Sequence, residues 1–140
     1  MVVLVIAGIV MSMSLPKFAA MRNRMAVRSA KQQFAAYLST ARASAIRQSQ
    51  QSQFHIQSSH IWTTVNQPNN TNISVGKRTR MFEQFGVTLT EGGTTPDDSV
   101  TYDSRGMGTT TGGARVFQFT KNGFQDSLCV TRLGLIAPTC

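Results

Sequence analysis

Residues 1–16, MVVLVIAGIVMSMSLP, decide how the rest of the chain is read. From Met1 to Leu15 the run holds only apolar and small residues, without a charge, and Pro16 closes it. Residues 17–50, KFAAMRNRMAVRSAKQQFAAYLSTARASAIRQSQ, follow without a joint; they are basic and contain no Asp, Glu, Gly or Pro. Phe18, Met21, Met25, Ala26, Ala30, Phe34, Tyr37, Leu38, Ala41 and Ala45 recur close to the helical period. Alanine and arginine are good helix formers. One long helix is therefore predicted over about residues 1–50. Pro16 removes an N–H and crowds the preceding turn, which makes Gly8–Pro16 the place where a kink or melted turn could form among packed neighbours, while an isolated subunit is expected to stay mainly helical there. Fifteen residues rise only about 22 Å, against the roughly 30 Å of a bilayer core. The apolar run reads as a short or truncated anchor.

Two plainer readings compete. A signal peptide needs a basic start and a small-residue cleavage site, whereas Met1 leads straight into Val2 and no A-x-A stands directly behind the apolar run. An ordinary buried helix is the second, since a run of 10–14 apolar residues often means that.

After Gln53 the period changes to two. QFHIQ, HIWTTV, FGVTLT, SVTYD, ARVFQF and LCVTRL read as short strands. QPNNTN, EGGTTPDD, SRGMGTTTGG and KNG read as the joints between them. One helix followed only by strands predicts an α+β fold, with the helix lying across an antiparallel sheet. The organisation expected is an apolar helix over 1–16, an amphipathic basic helix over 17–50 and a β-rich head over 51–140. The whole chain has 140 residues, and removing the anchor leaves about 125, enough for one modest core. Charge is segregated: residues 1–82 hold ten Lys or Arg and no acid, and residues 83–140 hold four basic and six acidic residues. The formal charge of +8 is thus +10 from the first part and −2 from the second, and it does not describe a uniformly basic surface.

VVLVIAGIVMSMSLP resembles the N-terminal helix of type IV pilins and type II secretion pseudopilins, in which a helix glycine precedes a proline by eight residues, as Gly8 precedes Pro16 here. The family's basic leader, cleavage-site glycine, methylated phenylalanine and glutamate would all precede Met1, so the native chain is expected to begin earlier. SVTYDSRGMGTTTGGARVFQFTKNG and CVTRLGLI are similar to the C-terminal half of GspH/FimT-type minor pilins. Tyr102, Arg105 and Gly106 fit that family's first turn, Gly112-Gly113 its hairpin and Gly134 its last turn. The resemblance implies a filament subunit rather than an enzyme, with no cofactor. It would sit in the bacterial inner membrane, be processed by a prepilin peptidase and be handled by an assembly platform. It would then polymerise with copies of itself or other pilins into an extracellular pilus or a periplasmic pseudopilus. The residues carrying that role would be Val2, Val3, Leu4, Val5, Ile6, Gly8, Ile9, Val10, Leu15, Pro16, Phe18, Met21 and Met25.

Basic residues behind a membrane segment ordinarily mark the cytoplasmic side, whereas the family places the head outside. Cys129 and Cys140 side with the family, because a lone pair in a small extracytoplasmic domain is most simply a disulfide. His55 and His60 are five apart in strand and turn and do not share a helix face. Asp97-Asp98, a conceivable calcium pair, reads as a solvated turn. The Gly106–Gly108 and Gly112-Gly113 pieces open no helix and so make no phosphate cradle. Asn69 and Asn72 match a glycosylation pattern that in a bacterial pilin is expected to be chance.

Some FimT-like pilins bind DNA through a Gly-Arg-x-Arg motif in the last turn, which makes a DNA-binding competence pilin the alternative function. Here Gly134 is followed by Leu135, and Arg132 stands in only partly. Arg105, Arg115, Lys121 and Arg132 are the candidate phosphate contacts. Binding of that kind scales with the phosphates neutralised, so nucleic acid is the less favoured partner.

Overall fold

Phe34 is the residue around which the domain closes. It lies about two-thirds of the way along α1 (Val2–Gln48) and is wholly buried. Its ring meets Phe54 edge-on at 5.1 Å on one side, and Phe117 and Phe119 at 4.9 and 5.5 Å on the other. The structure, a computed structural model, describes residues 2–69, 71–94, 96–110 and 113–137, with side chains from residue 18 onward.

After α1 come β1 (Ser52–Gln57), β2 (His60–Asn66), β3 (Asn72–Arg80), α2 (Met81–Phe85), β4 (Thr88–Glu91), β5 (Asp97–Tyr102), β6 (Gly108–Thr110), β7 (Arg115–Lys121), β8 (Phe124–Val130) and β9 (Ile136–Ala137). The expected α+β architecture is present, but the strands form two antiparallel sheets rather than one. Their orders are β3-β2-β1-β5-β6 and β4-β7-β8-β9. α1 packs on both. Its buried stripe is Val27, Ala30, Phe34, Leu38, Ala41 and Ala45, whose spacings of three and four keep them on one helix face. The alanines let the sheets approach the helix backbone, and Phe34 and Leu38 fill the seam between the sheets.

α1 is helical through both Gly8 and Pro16, as expected of a subunit outside a filament. Proline's fixed φ fits a helix, and one missing hydrogen bond does not interrupt a run of this length. The helix stops at Ser49, which takes a left-handed φ of 50°. Ser49 N–H donates to the Ile46 carbonyl at 3.3 Å, and Gln50 N–H to the Ala45 carbonyl at 3.2 Å. This is the Schellman arrangement, closed by a serine instead of the usual glycine. Ser52 Oγ then donates to the Ala41 carbonyl at 2.7 Å, which folds β1 back along the helix.

Several expected boundaries move. FGVTLT divides: Phe85 ends α2, Gly86 caps it at φ 62°, and the strand begins at Thr88. LCVTRL ends as a strand at Val130, and Thr131–Gly134 is a turn closed by Gly134 N–H to the Thr131 carbonyl at 2.8 Å. Asp97-Asp98 starts β5 instead of lying in a turn, and the carboxylate of Asp98 is paired with Arg115, which also reaches Glu91 at 3.6 Å. That arginine ties β7 to β5 across the two sheets. His55 and His60 fall on opposite strands of one hairpin, and His55 stacks on Trp62 at 5.0 Å.

The C-terminal turn is held by close approach. Tyr102 Oη donates to the Gly134 carbonyl at 2.7 Å, and Gly108 N–H donates to the Leu133 carbonyl at 2.9 Å. A Cβ on Gly108 would lie 2.6 Å from that carbonyl oxygen, a distance at which backbone would have to move. Burial pushes the Tyr102 phenol up to about 12, against a smaller opposing pull from the Arg42 guanidinium. Thr63 Oγ1, wholly buried on the inner face of β2, has no hydrogen-bond partner among the described residues.

Two outcomes are expected. Thr63→Val should stabilise the head by about 1 kcal/mol, read as a raised denaturation midpoint, because it removes an unpaired buried hydroxyl and keeps the shape. Tyr102→Phe should cost about 1 kcal/mol at neutral pH through the lost bond to Gly134. Only the neutral phenol donates, and its folded value lies above the ordinary 10.0. Its contribution is therefore complete below pH 10 and is lost as pH rises from about 10 to about 12. Urea midpoints of the parent and Tyr102→Phe should converge across that window.

Candidate functional site: the free face of the long helix

A helix that builds a core with one stripe must present its other face to something else. Met25 precedes Val27 by two residues, about 200° around the helix, and so points away from the head. Phe18, Met21 and Met25 share that side at spacings of three and four, and 68%, 56% and 55% of their surfaces are exposed. Large apolar side chains this exposed, in register on one helix face, form a patch rather than scattered surface residues. Further along the same side Ser29, Gln32, Ala36 and Ala43 are all exposed and mostly small.

The opposite side of this helical segment is held by the head. Lys31 Nζ donates to the Asp126 carboxylate at 2.8 Å. The Arg24 guanidinium lies 5.1 Å above the centre of the Phe124 ring. Tyr37 Oη donates to the Lys77 carbonyl at 2.6 Å and lies 2.6 Å from Thr79 Oγ1. Asn23 and Ala26 are half-buried, and a cleft of about 430 Å³ separates Ala19, Arg22, Asn23 and Ala26 from Phe85, Lys121 and Asn122. The tip of the β7–β8 hairpin thus braces one side of α1 while the Phe18–Met21–Met25 side stays clear.

The remaining expected helix residues, Val2, Val3, Leu4, Val5, Ile6, Gly8, Ile9, Val10, Leu15 and Pro16, lie in the first part of α1. Among the described residues no helix is long and apolar enough to cross a membrane. Cys129 is buried in β8 and pairs in register with Ala137; Cys140 lies outside the described residues, as does Gly112 of the expected hairpin.

The four candidate phosphate contacts do not converge. Arg115 is engaged by Asp98 and Glu91. Lys121 Nζ donates to the Phe85 carbonyl at 2.5 Å. Only Arg105 and Arg132 are both exposed and close in the fold, on two turns joined by the Gly108–Leu133 hydrogen bond. Sequence reasoning missed that junction because its segments are far apart in the chain; Tyr102, Gly108 and Gly134 were its only trace.

Comparison with known proteins gives the same architecture. Two crystal structures of the type IV minor pilin FimU of Pseudomonas aeruginosa (strain PAO1), in space groups P21 and P65, are similar to this chain, with TM-scores of 0.58 and 0.56. Both are 18% identical to it, and the matches cover 79% of this chain and 86% and 90% of theirs. Likeness at that identity speaks for the fold. No curated protein sequence matches the chain. The profile of the family Type II transport protein GspH matches residues 30–134, from the core stripe of α1 to the last turn, and the chain belongs to that family.

Proposed function

We propose that the chain is a non-catalytic subunit of a type IV pilus or type II secretion-like filament, polymerising through its N-terminal helix. The observation that carries this reading is the Phe18–Met21–Met25 stripe, exposed on the helix side that the head does not brace. Removing apolar surface from water is worth about 25 cal/mol per Å². A patch of three large side chains therefore gains by contact with another apolar surface. An apolar helix dissolved in lipid can exchange that environment for neighbouring subunits at little free-energy difference, so an inner-membrane form and a filament form are two states of one surface. Partners on this reading are other pilins, with an assembly platform and a prepilin peptidase acting beforehand.

The same reading includes a Cys129–Cys140 disulfide. Its support is the buried position of Cys129 on β8 opposite Ala137, three residues before the second cysteine. Among the described residues beyond the last turn, β9 contributes a two-residue strand, Ile136–Ala137. Capture of DNA has weaker support, since two of its four candidate cations are engaged within the head.

Met25→Glu should abolish incorporation into filaments, measured by immunoblot of sheared filaments, while the circular dichroism and melting temperature of the head stay those of the parent. Normal incorporation of that variant would overturn the assembly reading. Cys140→Ser should lower stability by roughly 2–4 kcal/mol and open residues 134–140 to protease. Two free thiols titrated in protein isolated without reductant would refute the bridge.

A further inference from the structure

At the far end of the head, away from the Phe18–Met21–Met25 stripe, three segments distant in sequence meet. The turn Asp103–Gly106 is closed by Gly106 N–H to the Asp103 carbonyl at 2.9 Å, and it touches the turn Thr131–Gly134 through the Gly108–Leu133 bond. Gly106 presses on the last turns of α1: a Cβ there would fall 2.7 Å from Ile46 Cδ1 and 3.2 Å from Arg42 Nε. What these segments present to solvent is aliphatic. Ile46, Met107 and Leu133 are 48%, 49% and 48% exposed. Leu135 and Ile136, also exposed, line a groove together with Arg42. Leu133 occupies a tight turn, a position that ordinarily takes Gly, Asn, Asp or Ser, and the core makes no use of it.

The rim is cationic. Arg42, Arg105 and Arg132 are exposed and form no ion pair among the described residues. The neighbouring acid, Asp103, accepts hydrogen bonds from the amides of Arg105 and Met107 at 2.9 and 2.8 Å, so it is occupied in shaping its own turn.

We propose that this patch docks a different protein, one whose contact surface is aliphatic at its centre and acidic at its rim. Charge complementarity selects the occupant. An apolar centre with a polar, charged rim is the anatomy of a protein–protein contact, and arginines at the rim steer an acidic partner and reject a basic one. Single-stranded nucleic acid fits less well, because five aliphatic side chains offer no ring on which bases stack. A second copy fits less well too: its exposed stripe is flanked by Arg22, Arg24 and Arg28, and its own patch carries the same three arginines. A bilayer holding the start of α1 is remote, since Phe18 and Ile46 are about 42 Å apart along the helix. The inference stands apart from the filament reading, because it concerns the end of α1 that the stripe does not reach.

The test uses the full chain in zwitterionic nanodiscs, with the Met107 methyl observed by NMR. The probe is a synthetic amphipathic helical peptide with leucines on one face and flanking glutamates. This peptide should shift the Met107 methyl, and Arg105→Glu combined with Arg132→Glu should weaken binding by about tenfold or more. Leu133→Ser combined with Leu135→Ser should do the same while leaving the melting temperature within a few degrees of the parent. Met25→Glu should leave peptide binding unchanged, which separates this surface from the assembly stripe. The proposal is overturned if the peptide causes no shift, or if a lysine-flanked version binds as well. It is equally overturned if a single-stranded oligonucleotide, phosphatidylglycerol nanodiscs or self-association of the chain produces the Met107 shift in place of the peptide.

Discussion

The fold depends on one aromatic contact: Phe34 of α1 set between Phe54 of the five-stranded sheet and Phe117 and Phe119 of the four-stranded one. α1 packs on both sheets, and Met81 of α2 joins the same core. A ring that touches both can do so only if the helix runs along their seam, and the alanines at 30, 41 and 45 keep the rest of the stripe thin enough for that. Removing the Phe34 ring would open a cavity at the point where three elements meet, the kind of truncation that costs about 3–5 kcal/mol. The helix is thereby committed to the head along one stripe. The opposite face is left exposed.

Once the helix direction is set, the second half of the chain must close the far end around the last turns of α1. Two devices do this. Arg115 joins Asp98 of one sheet to Glu91 of the other and is only 11% exposed at its side chain, so its two acidic partners offset the cost of desolvating it. Tyr102 and Gly108 hold the Thr131–Gly134 turn by two hydrogen bonds to adjacent carbonyls, those of Gly134 and Leu133. Glycine is required at 108 by the backbone approach and at 134 by a φ of 70°, where a Cβ would also meet the Tyr102 ring at 2.8 Å. Of the glycines that the family resemblance singled out, Gly134 is thus explained by crowding and by chain reversal.

Helix, class and most strands were legible because their periods are set by burial on one side. Phe54 and Ile56, Ile61 and Val65, and Phe117 and Phe119 alternate with solvent-facing residues, as half-buried strands do. β3 was not legible. It is an edge strand of mostly exposed residues, NISVGKRTR, in which Gly76 sits at φ 87° beside a register shift, so no apolar alternation betrays it. Lys77, Arg78 and Arg80 on that edge are the charges that discourage further strand pairing. α2 was hidden because Met81–Phe85 is a single turn and Gly86 was read as part of a strand rather than as a cap. The division into two sheets depends on long-range pairing, which no local pattern encodes. The stripe Phe18–Met21–Met25 was visible for the opposite reason: it continues the helical period on a face that the core does not claim.

Charge decides what can lie against the remaining surface. Four of the six acids are held within the chain: Glu83 by Arg80, Glu91 and Asp98 by Arg115, and Asp126 by Lys31. The acidic second half therefore has little left to offer the basic helix of a neighbouring copy. Arg22, Arg28, Arg42 and Arg47 remain exposed along α1 without an ion pair among the described residues. Screening at physiological salt acts over about 8 Å, so cations spaced farther than that on one molecule interact weakly. Helices packed side by side bring them closer, and like charges then oppose the same contact that the apolar stripe favours. In a filament of the proposed kind the conflict is relieved where the neighbour is a different, more acidic subunit. On that proposed reading the stripe would favour any apolar neighbour, and the arginines without an ion pair among the described residues would favour an acidic one.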